Sequence, residues 1–115
     1  MAVEIVNFTI NQGETWVGTI TPAIAVDYSG YTGKCQIRTT AEGTSPVIAS
    51  PTVAVSVGVA GIHTLTLTAA ETLALPVGGT TVSSTTVYLY DVFLTDTDTI
   101  KAAQGTITVI PAVTR

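Results

Sequence analysis

The chain has 115 residues, of which 46% are hydrophobic and only 10% are charged, whereas globular proteins carry about 25% charged residues. This length suits a single domain, residues 1–115, and the low charge argues against an intrinsically disordered chain. The net charge of -4 provides no basic footprint, so we expect no nucleic-acid partner.

Strands dominate the prediction, because Thr, Val and Ile together supply 48 of the 115 residues and β-branched side chains favour extended backbone. Apolar and polar residues alternate in short segments separated by turn residues, a pattern typical of half-buried strands. The first two predicted strands span residues 6–10 and 16–20, on either side of a turn. On the second strand, Trp16 and Ile20 share the inward parity, whereas Val17 points outward.

The clearest strand spans residues 34–40, after a long connection rich in turn residues at 21–33. We expect this connection to cross from one sheet to the other. Cys35 alternates with Lys34 and Arg38, which predicts a buried thiol and an outer face that carries both cations. That outer face is either a solubilising surface or, with its two cations beside a glutamine, a surface that meets an acidic partner.

Three more strands are predicted at residues 47–50, 53–57 and 62–68. The proline at position 51 makes the first of them a short edge strand. His63, the single histidine, has the parity of two inward leucines, so we expect it to be packed in the core or at its rim. No spacing supports a catalytic pair of His63 with Cys35.

One short helical turn interrupts the strands at residues 69–75. Thr68 is the predicted N-cap, and Glu71 lies three residues later, as in a capping box. Pro76 and two glycines follow, which predicts the end of the helix.

The last two predicted strands form a hairpin from residues 88–94 and 99–110. The side chains that share the apolar parity of the first are Tyr88, Tyr90, Val92 and Leu94. Asp96 and Asp98 mark the hairpin tip, which is interpreted as solvated, although two carboxylates at this spacing could also hold a hard cation. Gly105 predicts a β-bulge in the final strand.

Seven to eight short strands and one helical turn predict an all-β, immunoglobulin-like antiparallel β-sandwich. A small closed barrel is the alternative. A single cysteine excludes an internal disulfide, and the residues provide no catalytic, metal or cofactor site. The predicted core comprises Phe8, Ile10, Trp16, Ile20, Cys35, Ile37, Leu65, Leu67, Tyr90, Val92, Leu94, Ile107 and Val109.

The outward parity of the strand at residues 88–94 predicts a protein–protein interface. Leu89 and Phe93 are large apolar side chains that flank Asp91 on this parity, and Val17 enlarges the patch if its strand lies alongside. Such a patch suits contact with another subunit or partner. The alternative is that the segment at residues 77–86 folds over Leu89 and Phe93 and buries both faces of the strand.

Five segments form a recognisable series along the chain: FTINQGET at residues 8–15, YSGYTGKCQIR at 28–38, LTLTAAETLALP at 65–76, YDVFL at 90–94 and GTITVIPAVTR at 105–115. Together and in this order they resemble a family of small proteins of tailed bacteriophages and prophages, which are similar to the N-terminal modules of baseplate upper proteins. Three features depart from the family pattern: Tyr28 replaces a usual leucine, Phe93 replaces a usual acidic residue, and the segment at 77–86 is longer.

The resemblance implies a non-enzymatic structural protein of a phage virion, in the tail, baseplate or neck. Its expected partners are other virion structural proteins, as a homo-oligomer or a bound component. A capsid decoration (cement) protein and a carbohydrate-binding or adhesion module are the alternatives. No hydrophobic run is long enough to span a membrane and no signal peptide is recognised, so we expect synthesis in the host cytoplasm, no membrane partner, and a final location in the virion.

Overall fold

The computed structural model describes residues 3–39, 47–77 and 86–112, which form nine strands, one α-helix and one 3-10 turn. The strands are β1 (Glu4–Ile5), β2 (Phe8–Asn11), β3 (Trp16–Ile20), β4 (Thr32–Arg38), β5 (Val47–Ala49), β6 (Thr52–Val57), β7 (Ile62–Leu67), β8 (Thr86–Thr95) and β9 (Thr99–Ile110). The helix α1 spans Ala69–Leu73, and the 3-10 turn spans Gly58–Ala60. No helix among the described residues is long and apolar enough to cross a membrane.

The larger sheet, called the first sheet below, has the strand order β1-β9-β8-β4-β5, and β2 also pairs with β9. The pairs β9·β8, β8·β4 and β4·β5 are antiparallel. In contrast, β1 and β2 run parallel to β9, so the sandwich that the sequence predicts as antiparallel contains two parallel pairings. These two strands come first in the described chain and pair with the last one. Alternation within a segment does not encode a pairing between strands so far apart in the sequence.

The second sheet has the antiparallel order β3-β7-β6. Because β3 belongs to this sheet and β4 to the first, the connection between them crosses the sandwich, as predicted. Two separate sheets, packed face to face around one core, make the chain an immunoglobulin-like β-sandwich rather than a closed barrel.

The core contains the side chains of the apolar parities. Eleven of the thirteen predicted core residues are buried, and Phe8 and Trp16 are half-buried at its margin. Their rings pack edge to face with centroids 5.2 Å apart, an arrangement that aromatic quadrupoles favour. Tyr28, from the crossing connection, is also buried.

The helix α1 begins with the predicted capping box. The Thr68 hydroxyl accepts a hydrogen bond from the Glu71 backbone amide at 3.2 Å, and the Glu71 carboxylate accepts one from the Thr68 amide at 2.8 Å. The helix ends at Leu73 and Ala74 is its C-cap. The two glycines predicted to end it, at positions 78 and 79, lie outside the described residues.

The irregularity in β9 lies at Ala102 rather than at the predicted Gly105. The register with β8 shifts between Val92 and Phe93, which pair with Ala103 and Lys101. Gly105 itself pairs regularly with Tyr90. It is glycine for another reason: a Cβ there would lie 2.8 Å from the Val6 carbonyl carbon and closer still to its oxygen, so the backbone of residue 6 fills that space.

Candidate protein-binding face

The outward side chains of β4, β8 and β9 form three rows across the first sheet, called the outer face below. Register places Lys34, Phe93 and Lys101 in the first row, Gln36, Asp91 and Gln104 in the second, and Arg38, Leu89 and Thr106 in the third. Side chains directly opposite on neighbouring antiparallel strands lie about 5 Å apart at Cβ. Each row is therefore a set of adjacent side chains.

These rows line an open groove of about 790 Å³. Ile5 adds an apolar side chain at one margin, because β1 pairs with β9 and places Ile5 opposite Gln104. Ile5 is 71% exposed. The groove thus combines apolar side chains with polar and charged ones, and protein interfaces likewise combine apolar contacts with a polar rim.

Leu89 and Phe93 lie together on the outer face, as predicted. Phe93 is 37% exposed and Leu89 is half-buried. They are four residues apart on β8, a separation of about 13 Å at the usual strand rise. The alternative, a cover from the segment at 77–86, falls largely outside the described residues, which include only Val77 and Thr86 of that segment.

Val17 does not join this patch. It is 57% exposed, but β3 pairs with β7 in the second sheet. The condition that its strand lies alongside β8 is therefore not met, and this part of the predicted interface is wrong. Parity correctly placed Val17 outward, but parity does not say to which sheet a strand belongs.

Most of the positively charged residues of this acidic chain lie on the outer face. Three of its four Lys and Arg residues, namely Lys34, Arg38 and Lys101, line the groove. Lys101 lies 3.8 Å from the Asp91 carboxylate, and the Arg38 guanidinium donates to the Gln36 side-chain oxygen at 3.0 Å. Exposed ion pairs of this kind contribute about 0–1 kcal/mol, so the Lys101–Asp91 pair adds little to the stability of the fold.

Cys35 and His63 lie in the two different sheets, on β4 and β7. Burial, with a smaller contribution from the Asp91 charge, raises the pKa of the Cys35 thiol to about 12, so the thiol is protonated near neutral pH. His63 is fully buried, and burial lowers its pKa. Its Nδ1 lies 3.0 Å from the Gly61 carbonyl oxygen. Its Nε2 has no hydrogen-bond partner among the described residues.

The acidic hairpin tip is exposed, and the backbone amide of Asp96 donates to the Asp98 carbonyl at 3.0 Å. Within residues 3–39, 47–77 and 86–112, no group of three or more His, Cys, Asp or Glu residues is arranged to hold a metal ion.

Sequence reasoning missed two contributors to the groove. Ile5 lies in a two-residue strand that is too short to show an alternation. Lys101 lies next to the bulge at Ala102, which shifts the parity of β9 between the two ends of the strand. The only sequence signal for Lys101 was its charge.

No protein-family model matches the chain, and no curated protein gives a significant match. A solved structure of the NK cell receptor Nkp44, described as a triggering partner in natural cytotoxicity, is similar to it with a TM-score of 0.45 and 10% sequence identity. The match covers 97% of this chain and 100% of the receptor chain.

Proposed function

We propose that this protein is a non-enzymatic structural component of a phage virion that binds neighbouring virion proteins through the outer face. The observation that carries the proposal is the groove, in which Leu89 and Phe93 present apolar surface among Lys34, Arg38 and Lys101. The virion location is inferred from the five segments that resemble phage structural proteins.

The strand that presents the apolar patch is anchored in the core. From Tyr88 to Leu94 the inward residues of β8 are buried, and Val92 and Leu94 are fully buried. The outward residues Leu89 and Phe93 are therefore fixed in position by the core behind them. An apolar patch held on a sheet needs little ordering when a partner binds, which lowers the entropic cost of association.

Two substitutions on opposite sheets test the proposal. Phe93→Glu introduces a charge at one of the two large apolar side chains of the patch, and Val17→Glu makes the same kind of change at an exposed strand position on the second sheet. Each variant is expressed during phage assembly, and its incorporation is measured by mass spectrometry of purified particles. We expect Phe93→Glu to prevent incorporation and Val17→Glu to be incorporated normally, with the melting temperature of each variant close to that of the wild type.

Three results would contradict the proposal. If the wild-type protein does not co-purify with particles, the virion role is wrong. If both variants are incorporated equally, the outer face is not the contact surface. If Phe93→Glu fails to fold, Phe93 belongs to the core rather than to an interface. A signal on a glycan array that Phe93→Glu abolishes would instead favour the carbohydrate-binding alternative.

A further inference from the structure

The positive charge of this acidic protein is concentrated on one surface. The chain has eight Asp and Glu residues against four Lys and Arg residues, yet three cations line the groove. Among the described residues, Asp91 is the one carboxylate that lines it. A surface whose sign opposes the net charge of the protein is suited to steer a partner of the opposite sign towards it.

Each cation of the groove lies directly opposite a large apolar side chain of β8. Lys34 on β4 and Lys101 on β9 pair with Phe93 from its two sides. Arg38 pairs with Leu89 in the same way. A matching partner therefore offers apolar side chains about 13 Å apart, the separation of the two anchors along a strand, with carboxylates next to them.

We infer that the outer face binds an acidic segment of a neighbouring virion protein, an inference that rests on the proposed function. The apolar side chains of this segment pack on Phe93 and Leu89, and its carboxylates face Lys34 and Arg38. Lys101 contributes less, because Asp91 already lies beside it. Asp96 and Asp98 are exposed beyond the Phe93 row, so they disfavour carboxylates of the partner beyond that row.

Charge and apolar surface together distinguish an acidic protein segment from two other possible partners, a second copy of this chain and a nucleic acid. A second copy bound by the same face would bring like charges together, because the described residues of each face include three cations and one carboxylate. A nucleic acid would gain from the cations through its phosphates, but its backbone would leave the exposed aliphatic side chain of Ile5 without a matching surface. A segment that carries both carboxylates and apolar side chains would complement the cations and the apolar side chains of the groove.

The test uses purified wild-type protein and particles assembled without it, with binding measured by co-sedimentation. Lys34→Gln with Arg38→Gln removes two positive charges from the outer face. The matched control, Thr19→Glu with Thr52→Glu, changes the net charge by the same amount at exposed positions of the second sheet. Phe93→Thr removes the apolar anchor without changing the charge.

We expect the double glutamine variant to bind about tenfold more weakly at 0.1 M NaCl, as two exposed ion pairs allow. We expect the control to bind like the wild type, and wild-type binding to weaken as salt screens the charges. Phe93→Thr should weaken binding at every salt concentration.

Each other outcome overturns a stated part of the reasoning. If Phe93→Thr weakens binding but the double glutamine variant and added salt do not, the partner is not acidic and the proposed function stands. If neither variant weakens binding, the outer face is not the contact surface and the proposed function fails as well. Competition by a single-stranded DNA oligonucleotide would identify a nucleic acid, and a dimer in sedimentation velocity that the glutamine variant abolishes would identify a second copy.

Discussion

The Val6 carbonyl group occupies the place that an inward side chain at position 105 would take. Gly105 pairs with Tyr90 on β8, and the Tyr90 hydroxyl donates a hydrogen bond to the Val6 carbonyl oxygen at 2.6 Å. On the other side of residue 6, its amide donates to the Gln104 carbonyl at 3.0 Å. A methyl group at position 105 therefore meets backbone that is held from two directions.

We predict that Gly105→Ala lowers the free energy of unfolding by about 2–4 kcal/mol. Overpacking a well-packed site costs about 1–3 kcal/mol. Displacing the Val6 carbonyl also strains the bond to Tyr90, which contributes about 1 kcal/mol. For a domain of this size, such a loss lowers the melting temperature by about 10 °C.

The assay is urea denaturation followed by circular dichroism, with Gly30→Ala as the control. Gly30 has a φ of +80°, and no heavy atom lies within 4 Å of the place that an alanine methyl group would take, so that variant reports only backbone strain, about 1 kcal/mol. Gly105 is not among the glycines with positive φ, so its variant reports only the lack of space. Tyr90→Phe completes a double-mutant cycle, in which the double variant should lose less than the sum of the two single costs because both act on the Val6 carbonyl.

This account of why position 105 is glycine would be refuted if the melting temperature of Gly105→Ala lay within about 2 °C of the wild type. That change is well under the shift expected for a loss of about 1 kcal/mol. Strict additivity with Tyr90→Phe would show that the methyl group does not act through the Val6 carbonyl.

Three further predictions concern His63, Cys35 and Thr68. Because burial lowers the pKa of His63, the unfolded chain binds a proton at this residue more readily than the folded chain. The free energy of unfolding should therefore fall as the pH drops below about 6.5, until the folded-state pKa is reached. Denaturation at several pH values should show a weaker dependence of this free energy on pH in His63→Leu, and an equal dependence in both proteins would contradict the prediction. The Cys35 thiol has its pKa raised to about 12, so it should not react with a thiol reagent at pH 8 until urea unfolds the chain. Rapid labelling of the native protein would contradict the burial of this thiol. Thr68→Ala removes the capping box and should lower the free energy of unfolding by about 1 kcal/mol in the same denaturation experiment, whereas no change would mean that α1 does not depend on its cap.

The sequence by itself determined which side of each strand is buried. Val92 and Leu94 were predicted inward and Phe93 outward, because side chains alternate with a period of two in any strand, whichever strand lies next to it. The helix start at Thr68 was equally local, since a capping box involves residues only three positions apart. These features follow from interactions between near neighbours in the chain.

The tertiary structure alone decided which strands are neighbours and in what register. Val17 and Phe93 had the same outward parity, yet only pairing places them on different sheets. Gln12 illustrates the same limit. It lies in the predicted turn, but the sequence did not show that its side chain is buried, donates to the Leu75 carbonyl at 2.7 Å and accepts from the Ala112 amide at 3.0 Å.

The groove likewise exists only because β8 lies between β4 and β9. That arrangement brings Lys34 and Lys101, 67 positions apart in the sequence, to the two sides of Phe93. Alternation specifies a face but not a neighbour, and pairing between distant strands is fixed by the packing of the whole core and by loop closure. The surface proposed to bind a partner is therefore a product of topology, assembled from side chains that each looked ordinary in its own segment.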